Sequence, residues 1–220
     1  MAIRANLTGL VQTLSQHVTL VVVSKMQPPE RIMEAYEAGQ RDFGENRVQE
    51  MISKKELLPG DIRWHLVGHL QTNKVRMIVP FVHLIHSIDS LRLLQEVNKE
   101  GQRINRVIPC LLEFHIATEE TKFGLSFGEA TALLESQEYR EMQNVSICGV
   151  MGMASFVDDE TLLRSEFRQL STWFHKLRST YFTINQEFNI ISMGMSGDYP
   201  IAIEEGSTLV RIGTKIFGEL

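Results

Sequence analysis

The chain has 220 residues, 43% of them hydrophobic, with 22 Lys and Arg against 27 Asp and Glu and a formal net charge of −5. That composition supplies one sizeable core, and its acidic balance excludes a general nucleic-acid binder, which needs a basic patch or stripe. No apolar stretch approaches the ~20 residues of a membrane span, and the N-terminal MAIRANLTGLVQTLSQH lacks the apolar run of a signal peptide, so a soluble cytoplasmic protein is expected.

A first helix is expected near 3–16, ahead of a regular alternation. Strand-like runs fall at 18–24 (VTLVVVS), 41–45 (RDFGE), 62–69 (IRWHLVGH) and 82–88 (VHLIHSI). Four more fall at 107–116 (VIPCLLEFHI), 145–153 (VSICGVMGM), 189–195 (NIISMGM) and 209–216 (LVRIGTKI). Helical patterns separate them, the clearest over 159–182, where Leu163, Phe167, Leu170, Phe174, Leu177 and Tyr181 form one apolar stripe. Asp158 or Asp159 can cap its start. Cys110 and Cys148 sit in apolar runs without metal-ligand spacing and read as buried free thiols. Eight strands alternating with helices predict an α/β protein, a single (β/α)₈ TIM-type barrel over 1–220 with an extra N-terminal helix. A doubly wound open sheet is the alternative. The sequence stops at Leu220, directly after the last strand run, and no second domain is expected.

The stretch LVVVSKMQPPE places Lys25 at the end of a doubly buried strand, before two prolines that suit a helix start. By itself such a lysine is most often a solvated surface residue. In a barrel, however, the C-terminal strand ends meet on one face, where chemistry is placed. The other ends supply FGENR (43–47), GH (68–69), HSIDS (86–90), SMGMSGDY (192–199) and RIGT (211–214). The last two offer Gly194, Ser196, Gly197, Gly213 and Thr214, small residues that let backbone N–H groups reach a phosphate after strands seven and eight. Arg211 lies inside a β-branched run, so its guanidinium needs a partner, either a carboxylate such as Glu45 or Asp89, or a ligand acceptor. A lysine, a phosphate cradle and an arginine together suggest pyridoxal 5′-phosphate (PLP): the lysine for a Schiff base, the cradle for the phosphate, the arginine for the pyridine nitrogen. Arginine keeps its proton, so it leaves that nitrogen neutral and the ring a weak electron sink.

The segments VVVSK, AYEAGQRDFGENRVQE, WHLVGHLQTNK, HSIDS, KFGLS and SMGMSGDYPIAIEEGSTLVRIGTKIFG, spread over about 20–218, resemble the pyridoxal-phosphate homeostasis proteins, the single-domain group related to the N-terminal barrel of alanine racemases. The resemblance implies a PLP-binding barrel with Lys25 as the Schiff-base lysine and Arg211 facing the pyridine nitrogen. It implies that Ser196, Gly197, Gly213 and Thr214 hold the phosphate and that Asn46 lies near the ring. It further implies a role in vitamin B6 homeostasis without established catalysis. The partners it suggests are PLP, other B6 vitamers and PLP-accepting apoenzymes, with no nucleic acid and no membrane; a monomer is expected. This sequence departs from the family at Arg47, commonly tyrosine, at His115, commonly asparagine, and in GVMGMAS, where a proline is frequent.

Two other classes compete. An alanine-racemase-type enzyme needs a second acid/base opposite Lys25, which alanine racemases take from a second domain; Tyr199 is the tyrosine nearest the site here, inside the phosphate loop. A Schiff-base aldolase or phosphosugar barrel enzyme would share the lysine and cradle but leave Arg211 unexplained. No metal site is expected: His65, His69 and His86 sit near strand ends without a motif spacing and read as pocket lining or hydrogen-bonding residues. Lys74 and Lys122 are candidate cationic contacts for phosphate or a second vitamer.

Overall fold

The computed structural model describes residues 2–118 and 123–219; Lys122 lies outside them. Helix α1 (Ala2–Thr13) precedes eight parallel strands: β1 (Thr19–Val23), β2 (Asp42–Glu45), β3 (Arg63–Leu66), β4 (Leu84–Ile88), β5 (Ile108–Phe114), β6 (Val145–Gly152), β7 (Ile190–Ser192) and β8 (Leu209–Ile212). They close into a barrel in chain order, with β8 beside β1. The crossovers carry α2 (Pro29–Glu37), α3 (Val48–Leu57), α4 (Val75–Ile78), α5 (Leu91–Arg103), α6 (Phe127–Glu135), α7 (Gln137–Arg140), α8 (Glu160–Tyr181) and α9 (Tyr199–Glu204), and α10 (Thr214–Phe217) follows β8. The expected barrel and its extra N-terminal helix are present.

The main core lies between the strands and the helical ring. In α8 the predicted stripe is buried from Leu163 to Leu177, each Leu or Phe contributing roughly 1.5–3 kcal/mol. Asp159 caps the helix by accepting from the Leu162 N–H at 3.1 Å. Cys110 and Cys148 are buried free thiols. Among the described residues no helix is long and apolar enough to cross a membrane.

Several runs end earlier than their composition suggests. In the run at 189–195 strand β7 ends at Ser192; the Met193 N–H still donates to the Leu209 carbonyl at 3.1 Å, and Gly194 then adopts φ +94°, out of the extended range. In the run at 62–69 strand β3 ends at Leu66, the Val67 N–H still donates to the Glu45 carbonyl at 3.0 Å, and Gly68 lies so close to the Asn46 backbone that a Cβ would meet it at 2.4 Å. The run at 209–216 ends at Ile212: the Phe217 N–H donates to the Gly213 carbonyl at 3.0 Å, and Thr214 opens a helix. The pattern at 71–79 divides into a 3₁₀ turn (Thr72–Lys74) and α4. Helix α7 was not legible; Ser136 starts it by accepting from the Tyr139 N–H at 3.2 Å.

Inside the barrel, apolar residues share the space with a polar column. Val21, Leu84, Leu111, Cys148, Met151 and Leu209 form an apolar cluster of their own. His65, His86, Glu113, Ser192 and Arg211 are also buried. Between β5 and β6 the register slips by one residue: Cys110 faces Ile147, but Leu111 faces Gly149. Gly149 takes up the slip at φ +153°, as a bulge requires.

Candidate cofactor site

Lys25 stands on a tight corner. β1 ends at Val23, and the Gln27 N–H donates to the Ser24 carbonyl at 3.0 Å, closing a four-residue turn. Met26, at the turn's third position, has φ +59°, a conformation costly for a residue with a Cβ and concentrated at functional sites. Pro28 then caps α2 in extended backbone and Pro29 opens it. The result is an exposed lysine at the C-terminal rim, on a backbone that its neighbours over-determine.

Those neighbours are charged. Ser24 Oγ donates to Glu45 Oε1 at 2.6 Å. Lys54 Nζ, buried at the end of α3, donates to the same oxygen at 2.7 Å and to the Ser24 carbonyl at 2.7 Å. Glu50 Oε1 accepts from the Met26 N–H at 2.5 Å and from Lys54 at 3.1 Å. Residues on both sides of Lys25 are thus pinned by one buried cluster. Burial pushes the Glu45 carboxyl up to about 7, opposed by Lys54 and the Ser24 hydroxyl.

The loops after β7 and β8 meet beside Lys25's strand. The Gly213 N–H donates to Ser196 Oγ at 3.3 Å, tying the two loops together. A Cβ on Gly213 would lie 2.8 Å from the Val23 carbonyl, so only glycine allows β8 to approach the end of β1 this closely. A Cβ on Gly197 would meet nothing within 4 Å, which leaves open space above the loop. Thr214 is the first residue of α10, and the N–H of a helix's opening residue has no partner inside the helix. These donors and this space suit a phosphate.

Arg211 lies two residues before Gly213, buried and facing Val21 across the β8–β1 ladder. It makes no ion pair with Glu45 or Asp89. Glu45 pairs instead with Lys54 at 2.7 Å and Asp89 with His69 at 3.2 Å. Its Nη1 donates to the Ser192 carbonyl at 2.8 Å and to Ser192 Oγ at 2.6 Å, and its Nη2 to the Gly152 carbonyl at 3.1 Å. A guanidinium has five N–H groups, so donors remain for a ligand acceptor. Burial pulls it down to about 10, while the charges of Asp198 and Glu113 oppose the fall; it stays cationic at neutral pH.

Behind Arg211 a hydrogen-bonded chain crosses the barrel. Ser192 Oγ contacts His86 Nδ1 at 3.0 Å, His86 Nε2 contacts His65 Nδ1 at 2.9 Å, and His65 Nε2 contacts Asp42 Oδ1 at 3.1 Å. Burial first, and the charges around it second, hold His86 well below its usual range. A neutral imidazole has one N–H, so His86 donates to one neighbour and accepts from the other. His65 and His86 thus hydrogen-bond to each other within the barrel. His69 stacks on Phe123 with centroids 4.4 Å apart. Lys74 is exposed and reaches Gln49 Oε1 at 3.4 Å.

The register thus gathers Lys25, Ser196, Gly213 and Thr214 at one edge, with Arg211 beneath them. Asn46, exposed at the end of β2, joins the same rim, its backbone backed by Gly68. Sequence reasoning missed Lys54, Ser192 and Glu113. Glu113 carried a signal, a lone acid within VIPCLLEF; burial, with the charge of Asp89, pushes it up to about 7 against Arg211. Lys54 carried none, since in SKKELL it looks like any solvated helix lysine.

Comparison with known proteins shows the family. The family described as "Alanine racemase, N-terminal domain" matches residues 1–220. The pyridoxal phosphate homeostasis protein of Aquifex aeolicus (strain VF5) is 42% identical over 206 residues, covering 91% of this chain and 86% of the relative. The Homo sapiens protein of that name is 36% identical over 210 residues, covering 91% and 76%. The chain belongs to the pyridoxal phosphate homeostasis proteins. Among solved structures, PipY of Synechococcus elongatus PCC7942 without PLP superposes with a TM-score of 0.92 at 36% identity, over 98% of this chain and 100% of PipY. PipY with PLP bound gives 0.88 at 35%, with the same coverage. An alanine racemase of Clostridium difficile 630 shares only the fold, with a TM-score of 0.74 at 13% identity over 57% of its length. The homeostasis-protein reading is favoured over the racemase one.

Proposed function

We propose that this protein holds PLP on Lys25 at the C-terminal mouth of its barrel, and carries or buffers it in vitamin B6 homeostasis without turnover. The observation that carries the reading is Gly213 lodged against the Val23 carbonyl. It sets the loop of β8 beside the strand that delivers Lys25, with Arg211 two residues earlier. PipY, solved with PLP bound, supports it.

When bound, PLP supplies an aldehyde that condenses with amines. Lys25 is the amine offered at the rim, on a corner held by Glu45, Lys54 and Glu50. Ser196, Gly197, Gly213 and Thr214 bind the phosphate through hydroxyls and N–H groups. Arg211, being cationic, would be the hydrogen-bond donor toward the pyridine nitrogen and would keep its own proton. Asn46 lines the ring edge. Storage and hand-over to apoenzymes need no second acid/base. The chain acts as a monomer in this reading.

The test is retention of cofactor through gel filtration. Wild type emerges yellow with stoichiometric PLP, and Lys25→Ala, a change at an exposed position, emerges folded and colourless. Equal retention by both would remove Lys25 from its role. Alanine racemisation by wild type at roughly 1 s⁻¹ or faster would overturn the reading of a carrier without turnover.

A further inference from the structure

The far mouth of the barrel, at the N-terminal ends of the strands, holds a second constellation that the cofactor does not use. A cavity of about 480 Å³ opens there, and Asp42, Arg63, His65, His83 and His17 are among its lining residues. Asp42 starts β2, His65 lies in β3, and His83 immediately precedes β4. β3 and β4 pair with His65 opposite Leu84, which brings His83 alongside. The His65 and His83 ring centroids are 5.2 Å apart. One ligand atom from each of Asp42, His65 and His83 lies within 4.8 Å of the others.

We propose that Asp42, His65 and His83 form a binding site for a divalent first-row transition metal of the zinc class at the N-terminal mouth of the barrel. Two imidazoles and a carboxylate are the donor set such ions take, with the remaining position open to water from the cavity. Hard ions such as Mg²⁺ prefer all-oxygen sites and are excluded. Arg63 donates to both Asp42 oxygens through Nε and Nη2 and is the competitor for them. Its side chain is 49% exposed, so it can swing into solvent and free an oxygen.

The surroundings of His65 fit a ligand as well. A metal on Nε2 leaves the proton on Nδ1, and His86 Nε2 stands 2.9 Å from that atom as the acceptor. Metal-bound histidines characteristically donate their second N–H to such a partner, which fixes ring and tautomer. Sequence spacing could not show this site, because its three residues come from neighbouring strand starts and His83 resembles a loop histidine.

The experiment is Zn²⁺ titration by calorimetry on untagged protein, wild type beside His83→Ala, His175→Ala and Lys25→Ala. His83 and His175 are both exposed, and melting curves confirm that each variant folds. The expected result is one Zn²⁺ per chain in wild type, an affinity lowered about tenfold or more in His83→Ala, and unchanged affinity in His175→Ala. Lys25→Ala is expected to bind Zn²⁺ as wild type does, because the site lies at the opposite mouth from the cofactor. The proposal is overturned by no Zn²⁺ binding, by affinity indifferent to His83→Ala, by Mg²⁺ binding equally well, or by loss of binding in Lys25→Ala, which would place the metal on the cofactor.

Discussion

Lys54→Met is expected to cost about 3–5 kcal/mol of folding stability at pH 8, the range for stripping one partner from a buried ion pair. Methionine keeps the stem of the side chain and removes only the ammonium. Glu45, fully buried, then loses the donor 2.7 Å from its Oε1, and the Ser24 carbonyl loses its donor as well. The loss has a pH signature. The Glu45 carboxyl is raised from 4.5 to about 7 in the folded protein. The native state therefore binds more protons than the unfolded chain over that interval, and this group's contribution to stability falls as pH rises from about 4.5 to about 7. Removing Lys54 lifts the carboxyl further. The deficit of the variant is thus widest at pH 8 and narrows near pH 5, where Glu45 is protonated in both proteins. Urea denaturation at the two pH values measures it. A deficit that is small, or equal at both, would mean that the pair does not hold this corner. Because the Ser24 carbonyl loses its donor and Glu50, which holds the Met26 N–H, loses its ammonium partner, the variant is also expected to retain PLP less tightly than wild type.

The second large effect is structural. Gly149→Ala would put a Cβ 1.9 Å from the Ile190 carbonyl oxygen and 2.7 Å from its carbon, at φ +153°. Neither atom can rotate away, since both are backbone of the adjoining strand. The barrel must open between β6 and β7, and those strands deliver Gly152 and Ser192, the acceptors that hold Arg211. The expected result is a loss of about 4 kcal/mol or more, a fall in Tm of roughly 10 °C or more at this chain length, or failure to fold. Gly128→Ala is the control. Gly128 is exposed in α6 with nothing within 4 Å of a new Cβ, so alanine there is neutral or stabilising by a few tenths to about 1 kcal/mol. A Gly149→Ala protein that melts with wild type would refute the bulge account.

The repeating pattern of the barrel was legible because each strand buried on both faces writes a continuous apolar run, and each helix a 3.6-residue stripe. Lys25 and Arg211 were legible for the converse reason, a charge at the edge of or inside such a run. Strand ends were less so. Composition carried 189–195 and 209–216 on as strands, whereas Gly194 and Gly213 stop them, a matter of dihedral angle and close approach. What contacts what across the barrel was not legible at all. Arg211 was expected to meet Glu45, Asp89 or a ligand, and its protein partners proved to be Ser192 and the Gly152 carbonyl, from the two preceding strands. Glu45 instead chose Lys54, nine positions along on a helix. Partner choice is set by register and helix rotation, neither of which a spacing in the chain encodes.

The central claim is that Lys25 anchors the cofactor. The most direct measurement is reduction of the PLP-loaded protein with borohydride, followed by peptide mass mapping of wild type and Lys25→Ala. The expected result is a phosphopyridoxyl mass on the wild-type peptide that contains Lys25 and no modified peptide in the variant. A label on another lysine, or a wild type that stays colourless and unlabelled after PLP is added, would contradict the account.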